Sequence, residues 1–305
     1  MGKKIIVFGG TGYYGRTVVA ALVARGQMVR VLSRNAEGAK AVVGSGVEIF
    51  KGDVTRNGDI RKALQGMDVI VICLAAMSVK LIRKMQAIER DAVLNIMVEA
   101  KKLNISRLIY MSGYEMRANL LDDLKIPEFG AIKIEIEAAL HASDLNWTIL
   151  GDAPAFELFF AFLRGNKLTV PGGGLKAIPT ISPGDVGEIT AQTALRDDLG
   201  GKRIRLTGPR AYNFPEVAAL ISEITGSAIQ HMVIPLTVVN VISALIYPIT
   251  PFPRYLYKSL LLLNNFPSDL ADEVPHDHQK LLNLFDYEPQ TLEAEIERRL
   301  GRKAE

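Results

Sequence analysis

Cysteine is almost missing from this chain: Cys73 is the single one among 305 residues. No intramolecular disulfide framework can therefore form, and the chain reads as one made for a reducing, cytoplasmic compartment. Charge of one sign is also scarce, with 36 Lys and Arg against 33 Asp and Glu, a net +3. That is too little to hold a phosphate backbone by charge alone. The basic residues are scattered and not interleaved with aromatics, so no direct nucleic-acid partner is expected. The opening MGKKIIVFGG enters a strand and a glycine loop at once, which does not read as a secretory signal. There is no Gly-x-Ser-x-Gly elbow and no His near Ser112, so a hydrolase triad is not supported. His276 and His278 have no cysteine or third ligand close in sequence. The stretch after Pro275 is expected to be a surface loop, with no metal site.

What the chain does hold is length enough for one large domain or two modest ones, 49% of it hydrophobic,. Short β-rich runs alternate with helical patterns over the first 150 residues. Ile5–Phe8, Met28–Ser33, Val47–Phe50, Asp68–Leu74, Arg107–Met111 and Trp147–Leu150 read as strands. Gly15–Arg25, Val79–Leu103 (with a break near Arg90) and Ile132–Ala142 read as helices. Near-continuous apolar strands separated by helices are what a parallel sheet covered on both faces requires, so the class is α/β. The second half is less regular. Pro171–Gly174 reads as a loop, Ser182–Asp185 as a helix entry with Asp185 as its cap, and Arg203–Thr207 as a further strand. Asn213–Glu216 has the capping-box form and opens a helix ending near Gly226, and a charged helix covers Thr291–Arg299. With no Ser/Gly-rich linker, a core of residues 1–150 and a region of residues 151–305 are expected to interlock.

The loop Gly9-Gly10-Thr11-Gly12-Tyr13-Tyr14-Gly15 lies between the first strand and the first helix, so Gly10-x-Gly12-x-x-Gly15 is a dinucleotide fingerprint in its required setting. Glycines permit the tight turn and close approach to pyrophosphate, and the helix N-terminus offers amides and a positive dipole end. A tight strand–helix turn without a ligand is the plainer alternative. At the end of the second strand stand Ser33 and Arg34, with no acid until Glu37. Both could reach a 2′-phosphate, which favours NADP over NAD, unless Arg34 is only a solvated surface residue. Asp53 and Val54 close the third strand, where Asp53 could meet adenine or simply form a turn. Ala75 and Ala76 close the fourth strand with side chains small enough for a nucleotide to lie close.

Together GGTGYYG at 9–15, LSR at 32–34, GDVT at 52–55, SG at 112–113, Lys133 with Glu137, SPGDVG at 182–187 and LTGP at 206–209 resemble the atypical short-chain dehydrogenase/reductases. The nearest groups are the NmrA-like and isoflavone-reductase-like proteins and the related accessory subunit of respiratory complex I. The resemblance implies a Rossmann-type, doubly wound parallel sheet that binds NAD(P), with a smaller C-terminal substrate-side region. It also implies that Ser112 and Lys133 sit beside the nicotinamide, with Pro154 and Phe156 flanking it.

Two departures matter. The Tyr-x-x-x-Lys pair of short-chain reductases reads Phe129-Gly-Ala-Ile-Lys133, and a phenyl ring cannot donate a proton. Three readings stay open: Lys133 is itself the acid/base, which needs burial to depress its pKa; Tyr114 supplies the hydroxyl; or Lys133 only holds the nicotinamide ribose. An exposed helix lysine pairing with Glu137 is the plainer alternative. Secondly, the family's Leu-Arg-Pro after the sixth strand reads Leu150-Gly-Asp-Ala-Pro154, without the arginine.

Met232–Pro253 carries no charged residue over 22 positions. Prolines leave a clean helix only over Leu236–Tyr247, which rises roughly 18 Å against a ~30 Å hydrocarbon core. A spanning helix is not expected. Residues 232–258 are instead a core or homodimer-contact element, a substrate lid, or a peripheral contact with a membrane or protein partner. The leading expectation is an NADP-dependent oxidoreductase passing hydride to a small apolar carbonyl, enone or quinone. The rival is a non-catalytic NADPH-binding sensor or an accessory or assembly protein of a membrane complex.

Overall fold

The computed structural model describes residues 2–301. The elements run β1 (Lys4–Phe8), α1 (Gly15–Ala24), β2 (Met28–Ser33), α2 (Ala36–Val43), β3 (Glu48–Lys51), α3 (Asn57–Leu64), β4 (Val69–Ile72), α4 (Ala92–Lys102), β5 (Arg107–Gly113), α5 (Ala118–Asp123), α6 (Pro127–His141) and β6 (Asn146–Asp152). They continue with α7 (Glu157–Ala161), β7 (Leu163–Arg164), β8 (Lys167–Pro171), α8 (Pro183–Leu195), β9 (Lys202–Leu206), α9 (Phe214–Thr225), β10 (Gln230–Ile234), α10 (Leu236–Ile246), α11 (Phe252–Asn264), α12 (Ser268–Asp272), α13 (Val274–Leu284) and α14 (Leu292–Leu300).

The chain divides into two compact units. The first holds residues 1–116, 130–152 and 183–205 and the second holds 117–129, 153–182 and 206–305. In the first, a seven-stranded sheet has the order β3-β2-β1-β4-β5-β6-β9. β1 pairs in parallel with β2 and β4, and β5 with β4 and β6. This is the doubly wound Rossmann arrangement, reversing direction between β1 and β4, and ligands of such sheets lie at the carboxyl ends of the strands there. The apolar strands serve that burial: every residue of Val69–Ile72 is buried, and β1 is buried from Ile5 to Phe8, as a sheet covered on both faces demands.

Helix α8, from the second half of the chain, returns to this unit and packs on α1. At Gly187 a Cβ would stand 2.7 Å from the Thr17 carbonyl, so only glycine allows that approach. The expected break near Arg90 is a π-helical turn over Gln86–Asp91, immediately before α4.

The second unit has its own core, in which Phe159 meets Tyr212 and Phe214 edge-on. Its three-stranded sheet, β10-β8-β7, was not legible as strands in the sequence. α9 opens with the expected capping box, Asn213 accepting from the Glu216 amide at 2.8 Å and Glu216 from the Asn213 amide at 3.0 Å, and it ends at Gly226 in the left-handed conformation.

One expectation is corrected here. The surface loop after Pro275 is helix α13, and His278 is buried with Nδ1 3.1 Å from the Thr207 carbonyl. Pro275 occupies the first turn of that helix, where its missing N–H costs nothing,. Among the described residues no cluster of His, Cys, Asp or Glu could hold a metal ion, and no helix is long and apolar enough to cross a membrane.

Candidate functional site

All the groups that could meet a dinucleotide in the first unit sit at the carboxyl edge of its sheet. Leaving β1, Gly9 takes φ +80°, a conformation in which its Cβ would strike the Cys73 carbonyl. Gly12 donates to the Gly9 carbonyl at 2.8 Å, closing the turn. A Cβ on Gly10 would stand 2.7 Å from Val31 Cγ2, and one on Gly15 would run into the Gly9 carbonyl. Thr11, Gly12 and Tyr13 are exposed. Tyr14 stands at the N-cap of α1 with no side-chain capping hydrogen bond. The loop is thus a bare backbone cradle at a helix N-terminus, which fits a pyrophosphate.

The ends of β2 and β3 lie side by side, joined by the Gly52 amide donating to the Ser33 carbonyl at 3.0 Å. Ser33 Oγ donates to the Asn35 carbonyl at 3.1 Å, and Asn35 caps α2 by accepting from the Gly38 amide. Arg34 is exposed and forms no ion pair among the described residues. Asp53 Oδ1 accepts from the Thr55 amide at 2.9 Å and from its hydroxyl at 2.8 Å. Partial burial works to raise the Asp53 pKa, but the Thr55 hydrogen bonds and the Arg34 charge prevail and hold it below the usual value. Asp53 is therefore a turn former whose charge also faces Arg34. Val54 packs against the sheet core.

Past β4 the character changes from backbone to side chains. Ala75 is exposed and Ala76 is buried, its amide donating to Glu89 Oε1 at 2.5 Å. Glu89 is 7% exposed and sits in the π-helical turn, a device that recurs at functional sites. Lys133 of α6 donates to the Met111 carbonyl at 3.0 Å and lies 5.1 Å above the Tyr110 ring. Burial works to lower its pKa, but Tyr110, Glu89 and Asp152 outweigh that and hold the ammonium above the usual lysine value. The depressed pKa that an acid/base Lys133 would need is not what this setting produces. Nor does Lys133 pair with Glu137. Glu137 accepts from Ser112 Oγ at 2.5 Å and from Arg203 Nε at 2.9 Å.

Asp152, the last residue of β6, opposes Gly113 in the sheet. Burial pushes its carboxyl up to about 7, with Lys133, its own amide and Arg203 only partly offsetting the cost. Cys73, just past β4, is pushed upward as well, by burial and then by the Asp152 charge. Gly151 explains how the arginine-free motif is accommodated. Its Cβ would meet the Gly113 carbonyl at 2.8 Å and Arg203 Nη1 at 2.9 Å. That space is filled by Arg203 of β9, which donates to the Gly113 carbonyl at 2.9 Å and the Tyr114 carbonyl at 3.0 Å.

Tyr114 is 4% exposed, with the Arg205 guanidinium 5.6 Å above its ring. The tyrosine brought to Lys133 is Tyr110. In the second unit Phe129 packs on Tyr255 at 5.1 Å between ring centroids, Phe156 is 1% exposed within the aromatic core, and Pro154 is exposed. The structure thus assembles Gly9–Gly15, Ser33, Arg34, Asp53, Ala75, Ala76, Ser112 and Lys133 along one sheet edge. Asp152, Glu89, Tyr110 and Arg203 join them without having been singled out in the sequence. The helix break at Arg90 and the missing strand-end arginine were the only sequence marks of Glu89 and Asp152.

The segment 232–258 forms β10, α10 and the start of α11. Val241 is 58% exposed, Leu245 73% and Ile249 78%, an apolar surface unusual for a side of a folded domain.

The sequence matches the model of the NmrA-like family over residues 1–294. The divinyl chlorophyllide a 8-vinyl-reductase of Arabidopsis thaliana is 25% identical over 263 residues, which is 78% of this chain and 61% of that protein. The chain therefore spans less than two thirds of that relative. The photosystem II assembly factor Ycf39 of Trieres chinensis is 21% identical over 244 residues, 79% of this chain and 75% of that protein. Among solved structures, the triphenylmethane reductase of Citrobacter sp. complexed with NADP(H) superposes with a TM-score of 0.73 at 17% identity, covering 97% of this chain and 100% of that one. That likeness is one of fold. With a match running from the first strand into the last helix, the chain belongs to the NmrA-like family.

Proposed function

We propose that this chain is an NADPH-dependent reductase that passes hydride to a small apolar carbonyl, enone or quinone. The observation that carries the reading is the placement of the Lys133 ammonium at the same sheet edge as the bare glycine loop, held by Met111 and Tyr110 and not by Glu137. When bound, the reduced nicotinamide supplies hydride. Gly10, Gly12 and Gly15 hold its pyrophosphate through the backbone and the α1 dipole, and Arg34 pairs with the 2′-phosphate. Lys133 donates to the nicotinamide ribose, while Ala75 and Ala76 leave room for it. Reductases among the relatives support the reading.

The test is anaerobic NADPH oxidation against a panel of enones, aldehydes and quinones. Substrate-dependent turnover is expected. NADPH binding with no turnover across the panel would overturn the enzyme reading.

A second reading rests on the exposed aliphatic face of α10: a non-catalytic NADPH-binding protein attached to a membrane complex, as an assembly factor among the relatives suggests. Liposome flotation checks it. Membrane binding lost in Leu245→Glu supports attachment, and a fully soluble fraction at low salt removes it.

A further inference from the structure

Between β4 and the π turn the chain leaves the carboxyl edge of the sheet in a segment whose regular structure is one short 3₁₀ turn, Ile82–Lys84. Its own side chains do little to fix its course. Ala75 and Ala76 are small, and Met77 and Val79 are 61% and 59% exposed. What reaches it is a group from farther along the chain: Glu89 Oε1 accepts from the Ala76 amide at 2.5 Å.

Three features set Glu89 apart from an ordinary helix carboxyl. It is 7% exposed, in a place where such a group is costly unless it is hydrogen-bonded,. It is carried by the π turn over Gln86–Asp91, a form uncommon inside helices and recurrent at functional sites,. Its charge also faces the cation of the site, since Glu89 follows Tyr110 among the groups that offset the burial of Lys133.

We propose that Glu89 is the positioning residue for the nicotinamide end of the cofactor: through the Ala76 amide it holds the backbone of Ala75 and Ala76 in the course against which the nicotinamide ribose lies. The inference rests on the cofactor reading above and adds to it the residue that shapes this half of the cradle. Glu89 acts through the loop and not by touching the ligand. The adenosine end does not depend on it, because that end is fixed by contacts of its own. Gly12 donates to the Gly9 carbonyl, Gly52 to the Ser33 carbonyl, and Ser33 Oγ to the Asn35 carbonyl.

The test is isothermal titration calorimetry of wild type, Glu89→Ala and Glu89→Gln with two ligands, NADPH and adenosine 2′,5′-bisphosphate. The second carries the adenosine and its 2′-phosphate but no nicotinamide ribose. Glu89→Ala removes the acceptor of a buried amide, so NADPH affinity should fall about 10–100-fold, while the bisphosphate binds as it does to wild type. Glu89→Gln keeps an oxygen for the amide and should bind NADPH within about threefold of wild type. Glu89→Ala binding NADPH as wild type does would overturn the proposal. So would an equal loss of both ligands, the mark of a residue that only supports the fold, or a Glu89→Gln no better than Glu89→Ala. Each of these leaves the cofactor reading standing, because wild type still binds both ligands. A wild type that binds neither would overturn the cofactor reading and this proposal with it.

Discussion

The two ends of the candidate site are made of different material. At the β1 end everything is backbone: Gly9, Gly10 and Gly15 are required because a Cβ at each would collide with the Cys73 carbonyl, with Val31 or with the loop itself, respectively. At the β4–β6 end side chains dominate: Tyr110, Glu89 and Asp152 act on the ionisation of Lys133, and Lys133 acts on that of Asp152 and Cys73. A backbone cradle admits few changes, because each glycine answers a local clash. A cluster of charges can be rewritten while its net effect on a ligand is kept. The difference teaches that binding can persist in such a chain while its proton chemistry is carried by other residues.

The largest effect is expected at the side-chain end. Lys133→Met leaves Asp152 and Glu89 without their shared cation, which should cost on the order of 3 kcal/mol. In urea unfolding the loss should be greater at pH 8 than at pH 5, because the uncompensated Asp152 carboxylate can be protonated at the lower pH. A pH-independent loss would show that these charges do not share one site.

The pH dependence of the unmodified protein sharpens the same point. A folded-state pKa raised from 3.8 to about 7 means that native Asp152 keeps a proton the unfolded chain has released. Its contribution therefore favours the fold at the acid end and is lost as pH rises from about 4 to about 7, above which it stays level. Asp152→Asn should accordingly be more stabilising at pH 8 than at pH 5, as read from the two melting temperatures. The reverse order would break the assignment.

At the backbone end, Gly15→Ala drives a methyl into the Gly9 carbonyl. It should cost about 1–3 kcal/mol and abolish NADPH binding measured by fluorescence. Retained affinity would mean that the loop does not cradle the cofactor. Arg34→Ala removes one charge-assisted contact, worth ~1.5–3 kcal/mol, so NADPH affinity should fall about 10–100-fold while NADH affinity stays level. Equal losses would mean that Arg34 does not read the phosphate. The smallest effect is expected for Phe129→Tyr. Phe129 packs on Tyr255, so the added hydroxyl should change turnover little and stability by about 0.5 kcal/mol or less. A large gain in kcat would place position 129 back in the chemistry.

The same contrast explains what the sequence could and could not convey. The parallel strands and the glycine loop were legible because apolar runs, helix starts and the Gly9 turn are local features. The capping box at Asn213 was legible for the same reason. Pro275 misled because a proline can open a helix as well as break one,. The two-residue β7 and the strands β8 and β10 stayed hidden because they are short, bordered by glycine or proline, and defined only by one another. Asp152 stayed hidden for a deeper reason. Its ionisation depends on Lys133 and Arg203, which the chain brings to it from α6 and β9, and no spacing in the sequence records that meeting.

The central claim is that the Asp152 carboxyl, where β6 ends, is pushed up to about 7 by its surroundings. Carboxyl ¹³C NMR of the NADPH-bound protein, with Asp152→Asn used to assign the signal, measures this directly. One aspartate resonance should titrate near pH 7 and be absent from the variant. If Asp152 instead titrates below pH 5, in the ordinary aspartate range, the account of this site is wrong.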